Sequence, residues 1–191
     1  MTTVIDGTTG TSIAGASSTA GNFSVGGALA VTGNTTLTGT LSVGGILFAP
    51  AAISQVVVNS TTTSTATTNT TLAGVTTTLT GSITPSSATN KILVQVNVGW
   101  IFSNQSSAAG YATFSLYRGA TQIITPWFRG PYLPGVNTSI YGSASASYLD
   151  SPNSTSAVTY TLFFNTTGAT QTQTVQVQNT PSYITLYEIN A

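Results

Sequence analysis

The run Ile92-Leu-Val-Gln-Val-Asn-Val-Gly-Trp100 places Ile92, Val94, Val96 and Val98 at every second position. Successive side chains of a strand point to opposite faces, so these four share one face. The segment therefore reads as a half-buried strand, Ile92 to Phe102, with Trp100 near its end as a core residue. Near the C-terminus, Tyr183-Ile-Thr-Leu-Tyr-Glu-Ile189 repeats the pattern. Tyr183, Thr185, Tyr187 and Ile189 lie opposite Ile184, Leu186 and Glu188. Between and around these runs, Ile53 to Val58, Leu72 to Leu79, Tyr111 to Tyr117, Ile140 to Leu149, Ala157 to Phe164 and Thr172 to Val177 also read as strands. A weaker one falls at Gln122 to Thr125. Many are rich in Val, Ile, Thr, Tyr and Phe and are bounded by Gly, Pro, Asn and Ser clusters. No stretch sustains a helical period. The sequence after Pro50 thus predicts an antiparallel two-sheet β-sandwich, residues 50–191, of the jelly-roll kind.

Ahead of that domain the pattern changes. Asn22 to Gly45 reads in sixes as NFSVGG, ALAVTG, NTTLTG and TLSVGG, with Gly27, Gly33, Gly39 and Gly45 closing each unit. Val25, Val31, Leu37 and Val43 hold the fourth place of each unit; Phe23, Leu29 and Leu41 hold the second, where Thr35 departs. Each unit is a short strand with two apolar side chains on one face, ended by a residue free to take a positive φ. Repeats of this kind need stacked neighbours to bury their apolar face, and these units are too few to supply them within one chain. Three chains wound together would bring Val25, Leu29, Val31, Leu37, Leu41 and Val43 onto a common axis. Residues 22–49 are accordingly expected to form a trimeric β-shaft. The competing reading, a flexible Gly/Ser/Thr linker, has no need of regularly placed Val and Leu.

Residues 1–21 contain VIDGTTGTSIAGAS, with turn signals at Asp6-Gly7 and Thr9-Gly10. Val4, Ile5 and Ile13 are the only apolar anchors. Such an arm cannot form a core: either it is a disordered terminus or it docks on another protein.

Composition narrows the function. Charged residues are 3 % of the chain against roughly 25 % in an average soluble domain, yet hydrophobic residues are 40 %, enough to bury a core. The charged residues are Asp6, Lys91, Arg118, Arg129, Asp150 and Glu188, and the net charge is zero. Three scattered cations cannot form the basic patch that nucleic acid requires. No run approaches the ~20 apolar residues of a membrane span; the most apolar stretch, Gly44 to Ile53, is broken by Pro50. Met1 to Ala20 offers neither the basic nor the apolar region of a signal peptide. With no His and no Cys, a Ser-His or Cys-His pair is impossible, and the few carboxylates offer neither an acid–base pair nor a metal cluster. The chain is expected to be no enzyme and to carry no cofactor and no metal. Asp150, before Ser151-Pro152, reads as a turn former and Glu188 as a paired or solvated charge. With so few titratable groups, stability is expected to respond weakly to pH between about 4 and 9.

Pro126 to Gly135, PWFRGPYLPG, gathers Trp127, Phe128, Arg129, Tyr132 and Leu133 among prolines and glycines. Aromatics and Arg are enriched where proteins make contacts. The stretch is therefore either a contact loop, between subunits or to a host receptor, or the cap of one end of the core through Trp127 and Phe128.

SITPSSATNKILVQVNV, SASYLDSPNSTSAVTYTLFF and SYITLYEINA resemble a domain at the C-termini of tailed-bacteriophage virion proteins. VIDGTTGTSIAG and GNTTLTGTLSVGG are similar to N-terminal segments of phage fibre and decoration proteins. The resemblance implies a trimeric virion component with a jelly-roll head, made in the host cytoplasm and carried on the particle exterior. It transfers no catalytic residue. Its partners would be further copies of itself and the major capsid protein or another virion protein. A capsid decoration or cement protein, stabilising the shell, is the first expectation. A receptor-binding tail fibre or spike tip, contacting host glycan or protein, is the alternative. A bacterial adhesion module is disfavoured by the missing export signal.

Overall fold

The structure is a computed structural model that describes residues 51–71, 74–105, 110–132, 138–168 and 170–191. The arm with Val4, Ile5 and Ile13, the shaft with Val25, Leu29, Val31, Leu37, Leu41 and Val43, and Leu133 lie outside the described residues.

The strands are β1 (Ile53–Thr61), β2 (Thr65–Thr67), β3 (Val75–Ile83), β4 (Lys91–Gln105), β5 (Ala112–Arg118), β6 (Thr121–Arg129), β7 (Thr138–Asp150), β8 (Val158–Thr166), β9 (Gln171–Val175) and β10 (Ser182–Ile189). Among the described residues the only helical piece is a 3-10 turn, Val177–Asn179. The long β4 organises one sheet. β7 runs along one of its sides, while β10 pairs with its first half and β9 with its last residues on the other. β1 extends this sheet beyond β10, and β2 extends it beyond β9. The second sheet has the order β3-β8-β5-β6, and every pairing in both sheets is antiparallel. The principal layers are thus β1-β10-β4-β7 and β3-β8-β5-β6, with the chain crossing repeatedly between them. That is the strand order of a jelly roll, with β2 and β9 added where the chain crosses.

Alternation supplies the core. Ile92, Val94, Val96 and Val98 are all buried, as the sequence predicts, and face Leu79, Ile83, Phe114, Leu116, Tyr160, Leu162 and Phe164 from the other sheet. Phe114 lies between Phe128, 4.5 Å away and stacked, and Phe164 at 6.0 Å. Toward the β9 end the interior turns polar. The buried Ser103 hydroxyl donates to Gln173 Oε1, and Thr166 Oγ1 donates to Gln171 Oε1 at 2.9 Å. Pairing these groups offsets the cost of removing them from water.

Trp100 is not core. The β4–β7 register shifts between Val98 and Ile101, so burial passes from Val98 to Ile101 and Ser103 while Trp100 turns outward, 45 % exposed. A bulge of this kind inserts a residue and reverses the parity of everything after it. Gly99 sits in it under tight approach. Its N–H donates to Ser182 Oγ at 2.9 Å, and a Cβ here would fall 2.4 Å from the carbonyl oxygen of Pro181. Gly99→Ala is expected to force these backbones apart at a cost of about 1–3 kcal/mol. The midpoint in a thermal melt should drop by several degrees; an unchanged midpoint would show the contact to be slack.

Other elements also differ from the sequence reading. The weak strand at Gln122 to Thr125 is the nine-residue β6, running through Pro126 to Arg129. As the outermost strand of its sheet, β6 can hold a proline without breaking a ladder. β3 runs on through Gly81 to Ile83, held by its pairing with β8 rather than by local propensity. The short β2, all Thr and Ala, was not expected as a strand; it forms where β9 offers an open edge.

Candidate functional site

The outer face of the β1-β10-β4-β7 layer carries the exposed chemistry. Because the strands are in register, its side chains form rows. Val56, Tyr187, Leu93 and Leu149 make one apolar row. The next row is Val58, Thr185, Gln95 and Ser147, and the one after it is Ser60, Tyr183, Asn97 and Ser145. Past the bulge come Trp100 and then Phe102 opposite Tyr141. Tyr141 lies 4.9 Å from the Phe102 ring and 5.7 Å from that of Trp100.

Within the polar rows, Gln95, Asn97, Ser145, Ser147, Tyr183 and Thr185 line an open depression of about 480 Å³ floored by Val96 and Ala146. Among the described residues none of these six polar side chains has a hydrogen-bond partner. The opposite outer face behaves differently. There Ser82 pairs with Thr159 at 2.7 Å and Thr80 with Thr161 at 3.1 Å, hydroxyl to hydroxyl across neighbouring strands. No charged side chain lines the depression. Sequence reasoning missed these residues. Alternation places each of them on the outer side of its own strand, but only the β10–β4–β7 register brings them together.

The aromatic stretch Pro126 to Gly135 divides. Trp127 and Phe128 belong to β6 rather than to a loop and pack against the core. Phe128 stacks on Phe114, and Trp127 meets Phe128 and Tyr148 edge-on at 5.3 and 6.4 Å, closing the gap between β6 and β7. Arg129 and Tyr132 are exposed. The Arg129 guanidinium lies 4.6 Å over the Tyr111 ring, which is 6.1 Å from that of Tyr132. Among the described residues of the stretch, Arg129 and Tyr132 are the ones left open to contact.

Two carboxylates differ from the sequence reading. Asp150 is no turn former: it ends β7, buried, where it takes both Arg118 Nη1 contacts (3.1 and 2.9 Å) and the Tyr160 hydroxyl at 2.6 Å. Since Arg118 and Tyr160 belong to the other sheet, the cluster ties the two layers together. Burial, then the bond to Asp150, push the Tyr160 phenol well above its ordinary range. Glu188 is neither solvated nor ion-paired. It is 1 % exposed and accepts from Ser86 N–H at 2.6 Å, Ser86 Oγ at 2.7 Å and Asn90 Nδ2 at 2.7 Å. Alternation did place it beside Ile184 and Leu186, on the face that proves to be interior. Both carboxylates hold the fold together.

No family model matches the chain, and no curated protein matches it. Among solved structures it is similar to a chain in the structure of infectious bursal disease virus Gx strain, at 12 % identity and a TM-score of 0.34. The match covers 73 % of this chain and 39 % of that one, so this chain spans well under half the length of its neighbour. A likeness this distant bears on neither activity nor partner.

Proposed function

We propose that the protein is a non-enzymatic virion structural protein of a tailed bacteriophage, a homotrimeric decoration or cement protein. Residues 1–21 would grip the capsid surface, residues 22–49 would wind with two further copies into a shaft, and the sandwich would stand outward as the head. The observation that carries this reading is the glycine at every sixth position from Gly27 to Gly45, with Val or Leu two residues before each, running directly into a jelly-roll domain. Such a repeat buries its apolar face only in company. The resemblance of the opening, shaft and body segments to phage virion proteins supports it, as does a chain whose chemistry offers so few reactive groups. A receptor-binding fibre or spike tip is the second reading, favoured by the Tyr111–Arg129–Tyr132 stack, in which Arg129 and Tyr132 are exposed. Copy number per particle separates the two: hundreds for decoration, a few to a few dozen for a fibre.

Attachment tests the reading most directly. Deleting residues 1–21 should leave a folded trimer that no longer binds particles stripped of the native protein, because the arm has too few apolar residues to serve the core. Co-sedimentation of the truncated trimer with such particles would place attachment elsewhere and remove the arm's assigned role.

A further inference from the structure

We infer that the depression lined by Gln95, Asn97, Ser145, Ser147, Tyr183 and Thr185 binds a neutral sugar residue of a polysaccharide. The inference goes beyond the virion role and holds equally for a decoration protein or a fibre.

Three observations carry it. The first is a concentration of hydrogen-bonding groups with no partner among the described residues. Two carboxamides and four hydroxyls converge from three adjacent strands. Rows of Ser and Thr on this protein can satisfy one another, as Ser82–Thr159 and Thr80–Thr161 do on the far face. Here the groups face outward and are open to solvent or to a ligand that can replace it. Carboxamides and hydroxyls both donate and accept, which is the pattern that matches a ring of hydroxyls.

The second is charge. With no cation or anion in the lining, the site offers nothing to compensate a phosphate, a carboxylate or an ammonium group. The ligand it fits is neutral.

The third is an aromatic side chain in the lining, Tyr183, with Trp100 further along β4. Tyr183 borders the depression and is 42 % exposed, while Trp100, 45 % exposed, occupies the next outward position of β4 past the bulge. An amphipathic ring with one wet edge suits a pyranose, which has an apolar C–H face and polar edges. The bulge at Gly99 is what turns Trp100 to this side.

An extended peptide is disfavoured by the place of the site. Strand addition needs an open sheet edge, whereas here β4 is paired on both sides over the whole depression. A second copy of this chain laid over the face is the rival occupant, and the test includes it.

The full-length protein is titrated by calorimetry with neutral oligosaccharides cut from dextran, galactan and mannan, and with hyaluronan oligosaccharides as the acidic control. At least one neutral oligosaccharide should bind, with Kd between about 10 µM and 10 mM. Gln95→Ala and Asn97→Ala should each weaken it by roughly tenfold or more, and Tyr183→Ala by a similar factor. Ser82→Ala, on the other face, should change nothing. The three site residues are exposed, so thermal melts of the variants should match that of the parent. The inference is overturned if no neutral oligosaccharide binds, if binding survives both amide substitutions, or if the acidic probe binds best. It is equally overturned if hydroxyl-radical footprinting of the free protein finds Tyr183 and Trp100 protected, since a second copy would then cover the face.

Discussion

If the chain assembles as proposed, replacing Val31 and Leu37 together by Asp is expected to turn a trimer into monomers that keep a folded β-sandwich. Both residues occupy the fourth place of a six-residue unit, where the shaft proposal sets them on the threefold axis. Each substitution would gather three carboxylates at one level of that axis, with no cation in residues 22–49 to compensate them. Burying unpaired charge costs several kcal/mol per group after relaxation, far more than the apolar contact it replaces. The head has a core of its own, built on residues such as Phe114, Ile92 and Leu186. Its near-ultraviolet circular dichroism should therefore persist. Light scattering that still finds a trimer would remove the shaft from the account and return residues 22–49 to the role of linker.

The second large effect centres on Glu188. Glu188→Ala should lower stability by about 3–5 kcal/mol, because it leaves the buried Asn90 amide without its nearest acceptor, opens a cavity in the interior and removes the two bonds that hold Ser86. The thermal midpoint should fall by roughly 10 °C or more. Acid should reach the same site. Burial by itself raises the Glu188 carboxyl, but the bonds from Asn90 and Ser86 outweigh it and hold the group below its ordinary 4.5. At neutral pH the residue is ionised in the folded and unfolded chains alike, so its stabilisation is complete. Below 4.5 the unfolded chain takes up a proton first, and the stabilisation fades as pH falls through the lower folded value. Thermal melts from about pH 7 down to pH 2.5 should thus be flat at first and then fall. Glu188→Gln, which cannot titrate, should start lower and fall less. An acid limb of equal slope in the two proteins would mean that some other group governs acid unfolding. The sequence expectation of a weak pH response rested on treating Asp150 and Glu188 as incidental; with both buried, that reasoning holds only above the range where Glu188 protonates.

Much of the head was legible because strand periodicity is a local property. The alternation in Ile92 to Val98 and in Tyr183 to Ile189 identifies strands and sorts their faces without knowledge of any partner. It fails at Gly99 for a physical reason. The glycine is required by the passage of Pro181 and Ser182, residues distant in the chain, and the register shift there turns Trp100 from the expected core to the surface. β6 was under-read because Pro126 argues against a strand unless the strand is known to lie at an edge. For Trp127 and Phe128 the sequence left open a contact loop or a cap on the core, and their place in β6 against the core decides for the second.

Composition and spacing by themselves determined the all-β class, the sandwich, the six-residue repeat and the scarcity of reactive groups. These follow from side-chain chemistry and from periods of two and six, which need only the chain's own order. Tertiary structure alone decided which strands pair, and with them everything that depends on neighbours from elsewhere in the chain. Asp150 could be seen as a sheet-to-sheet tie only once Arg118 and Tyr160 stood beside it. Glu188 became a buried acceptor only when the Ser86–Asn90 segment folded over it. The depression exists only because β10, β4 and β7 align Tyr183, Asn97 and Ser145 in one row and Thr185, Gln95 and Ser147 in the next. Hydrogen-bond satisfaction is a sum over neighbours, and neighbours are set by register, which no single strand encodes.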